Sequence, residues 1–158
     1  MSLNDWILAL HLLSAFAYVA ATIMFWVMVA AAWGCERPSE VLAVFRLNPV
    51  ATVSVAIGGL GTITFGIWLA ISLPAYHPWD GWVIAAIVLW AIAGGAGQRA
   101  GTEFDKARTR AQELTGQSDE PSSELAGLVR SRRGLLLHGA STTAMVLILI
   151  DMIWKPGA

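Results

Sequence analysis

Apolar positions in this chain are gathered into four long runs, separated by short polar stretches. The runs cover 6–33, 50–73, a glycine-rich stretch at 82–97, and 134–154. Crossing the hydrocarbon layer, roughly 30 Å thick, takes about 20 apolar residues at 1.5 Å rise each. Three runs meet that length unaided, and the third borrows from its flanks. The expected spans are therefore about 6–33, 50–73, 80–99 and 134–154. This predicts an all-α fold, a four-transmembrane-helix bundle forming a single domain over residues 1–158. Trp6, Trp33, Trp79, Trp82 and Trp154 mark span ends, where an amphipathic indole prefers the headgroup layer. Trp26, Trp68 and Trp90 fall within spans and are expected to pack.

The one sizeable polar segment, 100–133, has its own pattern. "TEFDKARTRAQEL" favours helix and prolongs the third span. "TGQSDEPSSE" reads as a turn, and Ser122 or Ser123 is placed to cap a helix over "ELAGLVRSRRG". Its mixed charges suggest a solvated cap over the bundle. No internal repeat or second domain is visible.

Composition agrees with a bilayer environment. The chain is 56% hydrophobic and 13% charged, with a mean hydropathy of +0.62. A soluble domain carries about 25% charged residues, so half the usual surface charge is missing. Charge placement then sets orientation. Arg37 and Arg46 lie between spans one and two, and Arg99, Lys106, Arg108, Arg110, Arg130, Arg132 and Arg133 between spans three and four. Of ten basic residues only Lys155 lies at the other end. The positive-inside rule makes segments 34–49 and 100–133 cytoplasmic and both termini extracytoplasmic. The first run lacks a basic leader and is too long for a signal's apolar core, so it reads as a retained span. A net charge of −1 argues against nucleic-acid binding. A single cysteine, Cys35, gives no internal disulfide and no thiolate cluster, and His11, His77 and His138 lack metal-ligand spacing.

Helices in lipid associate through small residues and polar contacts, because lipid tails are as apolar as leucine. Gly58, Thr62 and Gly66 form one small face, and Ala93, Gly97 and Gly101 another. Either face serves to close the bundle or to meet a second copy or another membrane protein. The lipid bilayer is the one partner the composition itself names.

Three ionisable residues lie inside the spans. His11, Ser14, Tyr18 and Thr22 share one face of the first helix, which should turn inward, since an ionisable group facing lipid costs about 2.5–3.5 kcal/mol. His11 is then either a neutral histidine bonded to a neighbouring helix, or a cofactor ligand or proton relay. His138 shares a face with Thr142, Met145 and Met152, a stripe with soft donors for Cu(I) or a methionine-filled core. Counted from span centres, His11 lies about 13 Å toward the outside and His138 about 9 Å toward the cytoplasm, which disfavours one haem bridging them. Asp151 lies at about the depth of His11. It either pairs with Lys155, four residues on, or accepts a hydrogen bond from His11. Helical spacing sets Asp151 and His138 on opposite faces, so only one is expected to point into the core.

With "LHLLSA" in the first span, "GIWLA" in the second and "MIWKPG" closing the fourth, the chain resembles bacterial integral membrane proteins of domain-of-unknown-function family 2269. More distantly it is similar to the copper-resistance protein CopD and to the haem b protein HemJ. The resemblance implies a four-helix fold in a bacterial inner membrane, with His11 matching an early histidine that, in those relatives, points to haem or metal. The function expected is that of an accessory or structural membrane component. The alternatives are a b-type haem redox protein and a copper or small-solute transporter.

Overall fold

The computed structural model describes residues 2–156. It is helical throughout, with no strand among the described residues: α1 Leu3–Ala32, α2 Pro38–Val44, a 3-10 turn Phe45–Leu47, α3 Asn48–Ser72, α4 Gly81–Thr115, α5 Ser123–Val129 and α6 Arg132–Trp154. Four stretches are long and apolar enough to cross a membrane: Leu3–Ala32, Pro38–Ser72, Gly81–Thr115 and Ser123–Trp154.

Helix starts follow the chain's punctuation. Ser2 Oγ accepts from the Asp5 N–H at 3.3 Å, and Asp5 Oδ2 accepts from the Ser2 N–H at 2.7 Å, a reciprocal cap at the start of α1. Pro38 and Pro49 stand in first turns, where the missing N–H has no partner to lose. Ser122 caps α5 through Leu125 N–H, and Ser131 caps α6 through Gly134 N–H. At 35 residues α4 is about 52 Å long, so about 20 Å of it extends past the hydrocarbon layer.

The long helices form two tight antiparallel pairs, α1 with α3 and α4 with α6. Small residues allow each pair to close. A Cβ on Gly58 would stand 2.6 Å from the Tyr18 backbone nitrogen and 2.9 Å from the Ser14 carbonyl oxygen, so only glycine fits this crossing. The Gly58/Thr62/Gly66 face is filled by α1, leaving no room there for another helix. In the second pair Ser141 Oγ donates to the Ala93 carbonyl at 2.7 Å, and Gly97 lies beneath that hydroxyl. Trp26 joins the pairs, its Nε1–H donating to Thr142 Oγ1 at 2.9 Å. Trp90 does so between α3 and α4, donating to the Gly59 carbonyl at 3.1 Å. Trp68 differs from expectation: it is half exposed on the outer surface of α3, because its helix turns the small face rather than the indole toward α1.

At the arginine-rich end a cap covers the pairs. Val41 and Phe45 of the α2 region, Leu125 and Val129 of α5, and Phe104, Ala107 and Ala111 of α4 enclose a core with Val29 and Ala32 of α1. Its rim is polar. Arg110 meets Glu124 at 2.9 Å and Glu113 at 2.8 Å, while Asp119 accepts from Ser39 Oγ at 2.6 Å and Ser39 N–H at 2.9 Å.

Candidate functional site

Because α3 and α4 scarcely touch, the two pairs leave a crevice between them. It is a cavity of about 670 Å³ reached by residues of α1, α3, α4 and α6. The Trp90–Gly59 bond joins α3 and α4 on its side toward the termini, and α2 packs against α4 toward the other end. One wall is the bare backbone of α4: at Gly94 and Gly101, an added Cβ would meet nothing within 4 Å. Val53 and Ala56 of α3 and Phe25 of α1 supply apolar surface, while Asn48, Gln98, Asp105 and Arg108 provide polar groups toward the cap.

At the inner wall stands His138, only 7% exposed. Its ring packs against Trp26 with centroids 4.5 Å apart and edge-on against Phe25 at 6.1 Å. Its Nε2 is buried with no hydrogen-bond partner. Polar neighbours are satisfied: Thr142 Oγ1 donates to the His138 carbonyl at 2.9 Å, Thr22 Oγ1 donates to the Tyr18 carbonyl at 2.9 Å, and Ser141 is bonded to Ala93. Among the described residues His138 Nε2 is one of five buried polar atoms without a partner, with Ser72 Oγ, Trp82 Nε1, Arg108 Nε and Asp151 Oδ2, and only His138 and Arg108 of these residues line the cavity.

His11 is elsewhere. Its Nδ1 lies 3.0 Å from the Thr62 carbonyl, and the ring sits over Gly66, whose added Cβ would stand 3.0 Å from His11 Cε1. The histidine of "LHLLSA" thus meets the glycine of "GIWLA" inside the α1–α3 pair. His11 and His138 do not share a site, and one haem gripped by both is not what these side chains offer.

Asp151 makes neither expected pair. Lys155 adopts a left-handed backbone, φ 40°, with its N–H on the Asp151 carbonyl at 2.8 Å. That turn carries the ammonium away to Tyr76, where Nζ donates to the hydroxyl at 2.7 Å and lies 4.3 Å from the ring centroid. Trp82 forms the other side, 5.5 Å away. Asp151 itself is 8% exposed, and its Oδ2 has no partner among the described residues. Both Asp151 and His138 are buried despite lying on opposite faces of α6. They sit at different heights, so different neighbours cover them: α1 covers His138, and Met152, next to Asp151, packs on Ala70, Trp82 and Val83.

The copper stripe does not assemble. At 1.5 Å per residue, Met145 lies about 10 Å and Met152 about 21 Å along the axis from His138. Among the described residues no group of three His, Cys, Asp or Glu side chains could hold a metal. Burial, followed by the Glu40 charge, pushes the Cys35 thiol up, away from the thiolate form that acts as nucleophile and metal ligand. Sequence reasoning missed the crevice itself. The glycines of its wall were visible, but read as a packing face; Gly94, one position out of that register, was the clue that the stripe is wider than a crossing needs.

Comparison of the chain with protein families, with curated proteins and with solved structures finds no match.

Proposed function

We propose that this chain is an accessory component of a bacterial inner membrane that holds a small ligand in the crevice between its helix pairs. One observation carries the reading: a cavity of about 670 Å³ between the helix pairs, lined by His138, whose buried Nε2 has no hydrogen-bond partner among the described residues. Largely apolar cavities with a few convergent polar groups, placed between the helices of a bundle, are characteristic ligand sites. Orientation follows from charge, with both termini outside and the cap in the cytoplasm. Kinship with family 2269 is proposed on the three short motifs and their order alone.

The test is fluorescence of the purified protein, since Trp26 lies against His138. An alkylbenzene probe should change Trp26 emission in the wild type. Gly101→Phe, which fills the crevice from a position with open space, should abolish the change. An unaltered response in Gly101→Phe and Gly94→Phe would overturn the reading. Alkaline phosphatase fused at the Asp80 turn should be active and, fused at Gly116, inactive.

The same nitrogen favours a second reading, a b-type haem ligated by His138. Imidazole nitrogen is a common ligand of haem iron, so His138 would hold the group, and the haem would supply redox chemistry when bound. A Soret band lost in His138→Ala and kept in His11→Ala supports it; a colourless purified protein removes it.

A further inference from the structure

We infer that the crevice takes one acyl chain of an anionic amphiphile from the cytoplasmic leaflet, the chain lying along the glycine wall of α4 and the head held by Arg108. This rests on the ligand-binding reading above and adds the ligand's chemical class and its orientation.

Length decides the orientation. The cavity wall on α4 runs from Ala93 to Arg108, about 22 Å at 1.5 Å per residue. A leaflet with its headgroup layer is about 20–22 Å deep, half of a bilayer of about 40–45 Å. The two ends also lie at matching depths. Counted from Gly81, where α4 begins, Ala93 is about 18 Å in, just past the middle of a hydrocarbon layer of about 30 Å. Arg108 is about 40 Å in, beyond the hydrocarbon on the arginine-rich side. Its side chain leans back toward the membrane, because Cβ atoms tilt toward a helix's N-terminus.

Between these ends the wall suits a chain. At Gly94 and Gly101 an added Cβ would meet nothing within 4 Å, so bare backbone leaves room along the helix. Val53, 56% exposed, stands at the edge of the cavity on α3, on a surface that faces hydrocarbon in a spanning bundle. A volume of about 670 Å³ is that of a site for one small ligand, so one chain lies inside and any second chain stays in the bilayer.

Charge decides the head. Arg108 lines the cavity with its side chain 34% exposed. Asp105 Oδ1 stands 3.5 Å from its Nε, and that nitrogen has no hydrogen-bond partner among the described residues. Arg110, by contrast, is held by Glu113 at 2.8 Å and Glu124 at 2.9 Å. Half-exposed Asp105 is hydrated and answers Arg108 weakly. A guanidinium fork fits the paired oxygens of a carboxylate or phosphate, and Asn48 of α3 adds an amide to the same cavity. A cationic head would be repelled there.

The test uses hexadecanoate with a terminal diazirine, photo-crosslinked to the full chain in phosphatidylcholine nanodiscs and mapped by mass spectrometry. Label should fall at the inner end, on Tyr18, Thr22 or Gly94. Hexadecanoate and hexadecyl phosphate should displace it at least about tenfold more effectively than hexadecyltrimethylammonium, as a charge-assisted bond requires. Inorganic phosphate, an anion without a chain, should not displace it. Arg108→Gln should erase the preference for anions. If that variant melts early, Asp105→Asn gives the second reading, since removing the competing carboxylate should enlarge the preference. Equal displacement by anion and cation in the wild type overturns the inference. So does a preference that survives Arg108→Gln, one unchanged in Asp105→Asn, or displacement by inorganic phosphate. If Gly101→Phe blocks the label while anion and cation displace it equally, the ligand class falls and the crevice reading stands. If Gly101→Phe leaves the label in place, both fall.

Discussion

Leu125 and Gly58 hold the two halves of this molecule together by opposite means. In the cap the largest fully buried side chains are Leu125, Val41, Val129 and Pro38, each hidden from water by its neighbours. In the spans the buried positions are mostly small, such as Ala21, Gly58, Gly59, Ala93, Ser141 and Ala144, while Leu13, Phe16, Ile57 and Leu136 point outward. The difference lies in the solvent. Around the cap, burying an aliphatic side chain gains about 1.5–3 kcal/mol. Around the spans lipid already satisfies it, and what remains is close backbone approach and hydrogen bonds such as Ser141 to Ala93. A large side chain is therefore an asset in one half and an obstacle in the other.

Substitutions that reverse this logic should show it. The largest effect is expected for Leu125→Ala, which empties the centre of the cap. It should cost about 2–5 kcal/mol in a denaturant titration read on the cap. Next is Gly58→Ala, where a single methyl group meets the Tyr18 backbone; about 1–3 kcal/mol should be lost from the α1–α3 pair in SDS unfolding. Gly94→Ala adds the same methyl group into open space, and should instead stabilise by up to about 1 kcal/mol through helix propensity. If the two alanines behave alike, close approach is not what closes the pair. Ser141→Ala removes an interhelical bond inside the membrane and should cost about 0.6 kcal/mol in the same assay.

The smallest effect concerns pH and belongs to the cap alone. Ser39, through its hydroxyl and then its backbone N–H, holds the Asp119 carboxyl below its ordinary value of 3.8, with Arg37 adding to the effect. A lowered folded value means that the carboxylate form is favoured by folding. Its contribution is complete above the ordinary value and is lost as pH falls through the lowered one. Acid titration of cap melting should therefore be shallower in Asp119→Asn than in wild type, and the spans should show no difference between the two.

Much of the architecture was legible because it depends on one helix at a time. An all-helical chain with four membrane-length helices follows from apolar run length, and the fill of each run identifies a small face. The site was less legible. "LHLLSA" draws attention to His11, yet that ring is bonded to Thr62 over Gly66, inside a closed pair. His138 carries no motif and proves to be the histidine on the cavity. Asp151 and Lys155 are correctly spaced for an ion pair, and the left-handed turn at Lys155 separates them.

By itself, then, the sequence determined which segments are helical, which are long enough to span a bilayer, and the gathering of nine of ten basic residues at one end of the helices. These are properties of composition along a segment, and hydrocarbon or water acts on each segment separately. Only the tertiary structure decided that α1 pairs with α3 and α4 with α6, and that the seam between the pairs stays open. It also decided that His138 Nε2 is left without a partner there. Helical periodicity tells which residues share a face. Which neighbour that face meets depends on contacts among residues a hundred positions apart, such as Trp26 and Thr142, whose fit exists only once the helices have packed.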